Sequence, residues 1–218
     1  MKRLIAVAAA VVLQMVTPVA SSAMPSSCAA SADSTLLQLH AGGQSFADFL
    51  AAAKARREGW LQMRDSARVE ESLLSRARAV GGTWHLLVVA VDRCGDSMNS
   101  VPYLAKLAEQ VPGLDLRIVL PEAGKAIQAS HRSLDGRLAT PTIVLLDGAG
   151  HDMGCIVELP QELRRWAHGV RPSVTSDSLH AGIRAFYAKD RGRSITTEAV
   201  EMLEAAQRLT PICERGNP

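Results

Sequence analysis

The chain has 218 residues, 47% of them hydrophobic, with 24 Lys and Arg against 22 Asp and Glu. That length suits one domain with additions, and the apolar share is ordinary for a protein with a buried core. Two of the basic residues, Lys2 and Arg3, fall in an N-terminal leader that has no acidic residue. The remainder is therefore formally neutral and gives no electrostatic case for nucleic acid or an anionic membrane as partner.

Residues 1–23 read as a secretory signal peptide. Lys2 and Arg3 form the basic start, residues 4–16 an apolar stretch too short to span a bilayer stably, and Ser21-Ser22-Ala23 a small-residue cleavage site. Removal leaves no stable membrane span and a periplasmic or secreted protein. A lipid anchor on Cys28 is disfavoured, because Pro25-Ser26-Ser27 lacks the apolar residue expected three positions earlier. Residues 24–44 are expected to be a flexible lead-in, and the domain proper is placed at 45–170.

The first helix is expected over 45–57, with Ser45 as N-cap and Asp48 completing a capping-box pattern. Val69, Leu73, Leu74 and Ala77 recur at helical spacing and predict a second helix over 66–80, ended by Gly81-Gly82. Residues 84–91 are almost entirely apolar, as expected of a central strand covered on both faces. His85, within it, reads as a satisfied core residue rather than a base. A helix is expected over 95–110, a strand over 114–120 and a helix over 122–130. Residues 142–146 and 154–157 read as an antiparallel hairpin joined by a glycine-rich turn. A helix over 161–167 closes the domain. Arg171-Pro172 opens a linker, and amphipathic helices over 178–187 and 196–209 form a C-terminal extension, 171–218, packed against the domain. The order predicts an α/β fold: a central mixed sheet flanked by helices, with helical segments at both ends.

Export permits disulfides. The cysteines Cys28, Cys94, Cys155 and Cys213 allow three full pairings, and a Cys28–Cys213 staple between neighbouring chain ends is one plausible choice. No cysteine or histidine pair has zinc-finger spacing, and no cofactor or metal is expected.

The chemistry centres on Cys94-Gly95-Asp96-Ser97, which follows the apolar strand and opens a helix. Free N–H groups and the helix dipole at such a position favour a thiolate over a thiol. Arg93 adds a positive neighbour, and Asp92 and Asp96 oppose it. Ser97 lies one turn on and faces the same way, so its hydroxyl can donate to the thiolate but cannot resolve a mixed disulfide. Pro102 sits inside the helix and must break one backbone bond. Further on, Ala139-Thr140-Pro141-Thr142 leads into the hairpin.

Together with Val101-Pro102-Tyr103-Leu104, Val157-Glu158-Leu159-Pro160 and the late run from Tyr187 to Arg193, these pieces resemble a bacterial thioredoxin-like family. Its active-site loop reads Cys-Gly-Asp-Cys or a close variant, and the resemblance spans residues 46–203. It implies a thioredoxin-like fold, a cis Pro141 and a Thr140 backbone turned toward Cys94. The site residues are then Cys94, Ser97, Thr140 and Pro141. Ser97 stands where dithiol members carry a second cysteine, and Val88 where they carry a buried acid. Glu158 falls at the rim of the site, more commonly as a surface carboxylate. Cys155, on the opposite strand face from Glu158, is a candidate to resolve Cys94.

The expected function is monothiol thiol–disulfide exchange of the isomerase or mixed-disulfide reductase type. Its partners would be protein or small-molecule disulfides and thiols, with an external thiol reductant. The competing expectation is a non-catalytic thioredoxin-fold module that binds polypeptide beside Pro141.

Overall fold

The computed structural model describes residues 29–216. The proposed signal peptide and Cys28 lie outside the described residues. Residues expected to form a flexible lead-in instead hold α1 (Ala29–Ala41). The helix expected over 45–57 is shorter, α2 (Phe46–Ala52), and Ser45 caps it by accepting from the Asp48 amide at 3.1 Å. A helix that the periodicity did not separate follows, α3 (Arg57–Ser66), and only then α4 (Glu71–Val80). Arg56 breaks α2 from α3 by adopting a left-handed φ of 52°.

The strand β1 (Trp84–Val89) delivers the chain to α5 (Gly95–Gln110). Then come β2 (Leu114–Val119), α6 (Lys125–Ser130), β3 (Thr142–Asp147) and β4 (Asp152–Val157). The chain ends in α7 (Gln161–Val170), α8 (Ser176–Asp190), α9 (Arg193–Gln207) and the two-residue β5 (Ile212–Cys213). The sheet runs β2-β1-β3-β4-β5, with β1 parallel to β2, β3 antiparallel to both its neighbours, and β5 parallel to β4.

Both faces of β1 are buried, which is why its sequence is apolar throughout rather than alternating. Leu86 and Val88 face the main core with Trp60, Leu74, Leu104, Leu107, Val200 and Leu203, which come from α3, α4, α5 and α9. Leu87 and Val89 face the other layer, with Val119, Val144, Leu146 and Ile127, and with Leu36 and Leu39 of α1 packed on them. A smaller cluster joins α7 to α8 through Leu163, Ala167, Leu179, Ile183 and Tyr187.

The elbow between α8 and α9 needs glycine. Gly192 has φ 77°, and a Cβ there would lie 2.1 Å from the Tyr103 ring. The α8–α9 pair is thus seated directly on α5.

The terminal staple is not Cys28–Cys213. Cys155 of β4 is bonded to Cys213 of β5, with 4.5 Å between Cα atoms, so Cys155 is not the resolving thiol for Cys94. Parallel pairing of β5 with β4 sets Cys213 opposite Cys155, a neighbourhood that only the tertiary fold creates.

Candidate active site around Cys94

Trp60 fixes the approach to the cysteine. It is fully buried, and its indole N–H donates to the Asp92 carbonyl at 2.8 Å. The Asp92 carboxylate accepts from the Lys54 and Ala55 amides at 2.8 and 2.9 Å, and the Arg56 guanidinium donates to the Arg93 carbonyl at 2.8 Å. The amides of Ala55 and Lys54 hold the Asp92 carboxyl below the usual carboxylate range. Asp92 is therefore committed to the α2–α3 connection. This link explains why α3 matters to the site although the sequence reading did not resolve it.

Cys94 is the N-cap of α5, and its sulfur accepts from the Ser97 amide at 3.4 Å. The Ser97 hydroxyl was expected to make that contact. It is instead buried, with no hydrogen-bond partner among the described residues. The Cys94 thiol donates to the Thr140 carbonyl at 3.0 Å, and the Thr140–Pro141 peptide is cis. The fold thus brings Cys94, Ser97, Thr140 and Pro141 together. The preceding carbonyl, Ala139, is pinned by Gln128 Nε2 at 2.7 Å and Thr142 Oγ1 at 2.8 Å, and Glu158 N–H donates to the Pro141 carbonyl at 2.8 Å. Cys94 is partly exposed and is the free cysteine among the described residues.

Three further groups surround it. Asp96, in the first turn of α5, is pushed up to about 6 by burial first and then by the nearby Glu158 charge. Tyr187 of α8 is buried beside Asp96, Ser100 and Cys94, and burial, then the Asp96 charge, raise its phenol well above the ordinary value. Glu158 sits at the rim in a left-handed conformation, φ 66°, and both its oxygens accept from Arg137 Nη2 at 2.9 Å. The sequence reading placed Glu158 at the rim and counted Asp96 only as a charge opposing Arg93, and it gave Tyr187 no role beside the sulfur. The late run beginning at Tyr187 was the available signal for the phenol.

The raised Asp96 has a consequence for stability. Its folded-state proton is held more tightly than in the unfolded chain, so its contribution is fully present below about pH 4 and is lost as pH rises through about 6. Asp96→Asn is expected to be more stable than the parent at pH 7, on the order of 3 kcal/mol, with the difference vanishing toward pH 4. Urea unfolding of both proteins across that range measures this. A pH-independent difference would contradict it.

On the α8 side of the loop a cleft of about 990 Å³ lies between α3, the start of α5 and α8. Arg56, Arg68, Arg184 and Arg191 line it, and Asp96 is the single carboxyl among its lining residues. The cleft is thus basic, and its volume falls within the range of small-molecule sites.

The fold and this loop define a thioredoxin-like site with one sulfur. The thioredoxin family model matches residues 43–175. The chain belongs to the thioredoxin family. A Pseudomonas aeruginosa protein of unknown function is similar in structure, with a TM-score of 0.62 and 20% identity over 78% of this chain and 97% of that one. An HIV epitope scaffold is similar to the same extent, with a TM-score of 0.61 and 19% identity over 78% and 97% of the two chains. At these identities the likeness shows the fold alone. No curated protein gives a significant match.

Proposed function

We propose that this is an exported monothiol exchange protein that works through Cys94. The observation that carries the reading is a partly exposed thiol at a helix N-cap, 3.0 Å from the Thr140 carbonyl, with serine one turn on. The Cys94 thiolate attacks one sulfur of a substrate disulfide. A Cys94–substrate disulfide forms as the original S–S bond breaks, and the second sulfur leaves as a thiolate. Asp96, whose carboxyl burial pushes up to about 6, supplies the proton it takes up. An external thiol gives its proton to the Asp96 carboxylate, attacks the mixed disulfide as a thiolate, carries off the substrate sulfur as a new disulfide and returns Cys94 as the thiolate. No net oxidation or reduction of the protein occurs over the cycle. The Thr140–Pro141 segment offers main-chain groups to an extended substrate, and the arginine-lined cleft suits small disulfides that bear carboxylates.

The test is the lifetime of the mixed disulfide. Mass spectrometry after mixing with a carboxylate-bearing small disulfide is expected to show one adduct, on Cys94, that persists until a thiol is added. Ser97→Cys is expected to shorten that lifetime at least tenfold, because a second thiol then lies one turn away on the same helix face. No adduct on Cys94 at any pH from 6 to about 9, a span around the ordinary thiol pKa, would overturn the exchange reading and leave the polypeptide-binding module in its place.

A further inference from the structure

We infer a divalent transition-metal site formed by His40, His85 and Asp115, at the end of the sheet opposite Cys94. The three residues come from α1, β1 and β2 and lie far apart in sequence, so no spacing motif could reveal them. Their ligand atoms all lie within 4.8 Å of one another. His85 Nδ1 is 2.5 Å from one Asp115 oxygen, and His40 Nε2 is 3.6 Å from the other. The two imidazole rings are 4.7 Å apart.

The decisive feature is His40. Its side chain is 6% exposed, and its Nε2 makes no hydrogen bond among the described residues. A buried imidazole nitrogen left unpaired costs free energy unless something occupies its lone pair. Here that nitrogen points to a carboxylate and a second imidazole, the donor set of zinc and its first-row neighbours.

Both histidine–carboxylate separations are near those a metal requires, and the two histidine nitrogens lie within 4.8 Å of each other. Metal–ligand bonds of 2.0–2.2 Å at tetrahedral angles set donor atoms about 3.3 Å apart. The His40 separation is already close to that. The His85 separation must widen by under about 1 Å, and the Asp115 side chain, 48% exposed, is free to move outward. Arg117, with Nε 4.0 Å from Asp115 Oδ2, competes for the carboxylate and lowers affinity without blocking the site. Three protein ligands leave a fourth position open to water or a partner's side chain. The other possible donor group among the described residues, His131 with Cys155 and Cys213, has both sulfurs consumed by the disulfide.

The test uses the full mature chain, stripped with a chelator and with the Cys155–Cys213 disulfide intact. Isothermal titration with Zn²⁺ is expected to give one ion per chain, and Co²⁺ to give visible ligand-field bands that Zn²⁺ abolishes. Asp115→Asn and His85→Gln, at partly exposed positions that the fold tolerates, are each expected to weaken binding at least about 100-fold, beyond what loss of an outer-shell partner costs. Arg117→Ala is expected to strengthen it severalfold. An absence of stoichiometric Zn²⁺ binding would overturn the assignment, as would binding that is unchanged in Asp115→Asn and His85→Gln. Neither result bears on Cys94.

Discussion

Replacing Cys94 with serine is expected to abolish disulfide exchange while changing the unfolding free energy by less than about 0.5 kcal/mol. The two effects separate because the sulfur has two roles of different chemistry. As N-cap it accepts from the Ser97 amide, and as donor it reaches the Thr140 carbonyl. A serine hydroxyl performs both and is a better cap. Nucleophilic attack on sulfur is beyond it, so the rate should fall to that of the uncatalysed reaction. Exchange assayed with a small disulfide and thiol, alongside urea unfolding, measures both quantities. Retained exchange would move the chemistry to another thiol. Lost exchange together with a large loss of stability would show that the substitution had disrupted the loop.

Arg164→Met should cause the largest loss of stability, about 3–5 kcal/mol. Arg164 of α7 is 3% exposed, and its guanidinium donates to Glu198 Oε1 at 2.8 Å, to Glu214 Oε2 at 3.1 Å and to the Leu159 carbonyl at 2.5 Å. It ties α7 to α9 and to the segment after β5. Burial pushes the Glu198 carboxyl up, and Arg164 opposes that rise. Removing the guanidinium leaves a buried carboxylate whose remaining contact is the Gln161 amide at 2.8 Å. The double change Arg164→Met with Glu198→Gln should recover part of the loss, because no uncompensated charge is then buried. Denaturant midpoints of the single and double variants test this. A loss below about 1 kcal/mol in the single variant would mean that water reaches the pair.

The parts legible from sequence are those set by local rules. The apolar run into Cys94 fixed β1 as a strand buried on both faces, and the span expected for the following helix, 95–110, coincides with α5. The combination of cysteine at a helix start with Thr140-Pro141 identified the residues that meet at the sulfur. What escaped depends on distant contacts. The polar sequence of α3 has a single buried anchor, Trp60, and its separation from α2 rests on one left-handed arginine. Ala67 to Glu70 continue the helical periodicity, yet α4 begins only at Glu71. The Cys155–Cys213 bond depends on β5, a strand of two residues with no pattern of its own. Asp96 was visible as a residue, but its raised carboxyl arises from burial, with Glu158 adding to it.

The family match ends at residue 175, but the main core does not. Ile195, Ala199, Val200, Met202, Leu203 and Ala206 of α9 stand in that core beside α4, α5 and the sheet, and Tyr187 of α8 is buried beside Asp96 near the cysteine. The matched stretch is therefore a unit of ancestry, whereas the unit of folding is larger. A fragment cut at residue 175 would keep Cys94 and Pro141 yet present one bare apolar flank to water and leave Asp96 without Tyr187 beside it. The loop that carries Cys94 thus lies inside the matched stretch, while part of the packing that surrounds it is supplied by the chain after residue 175.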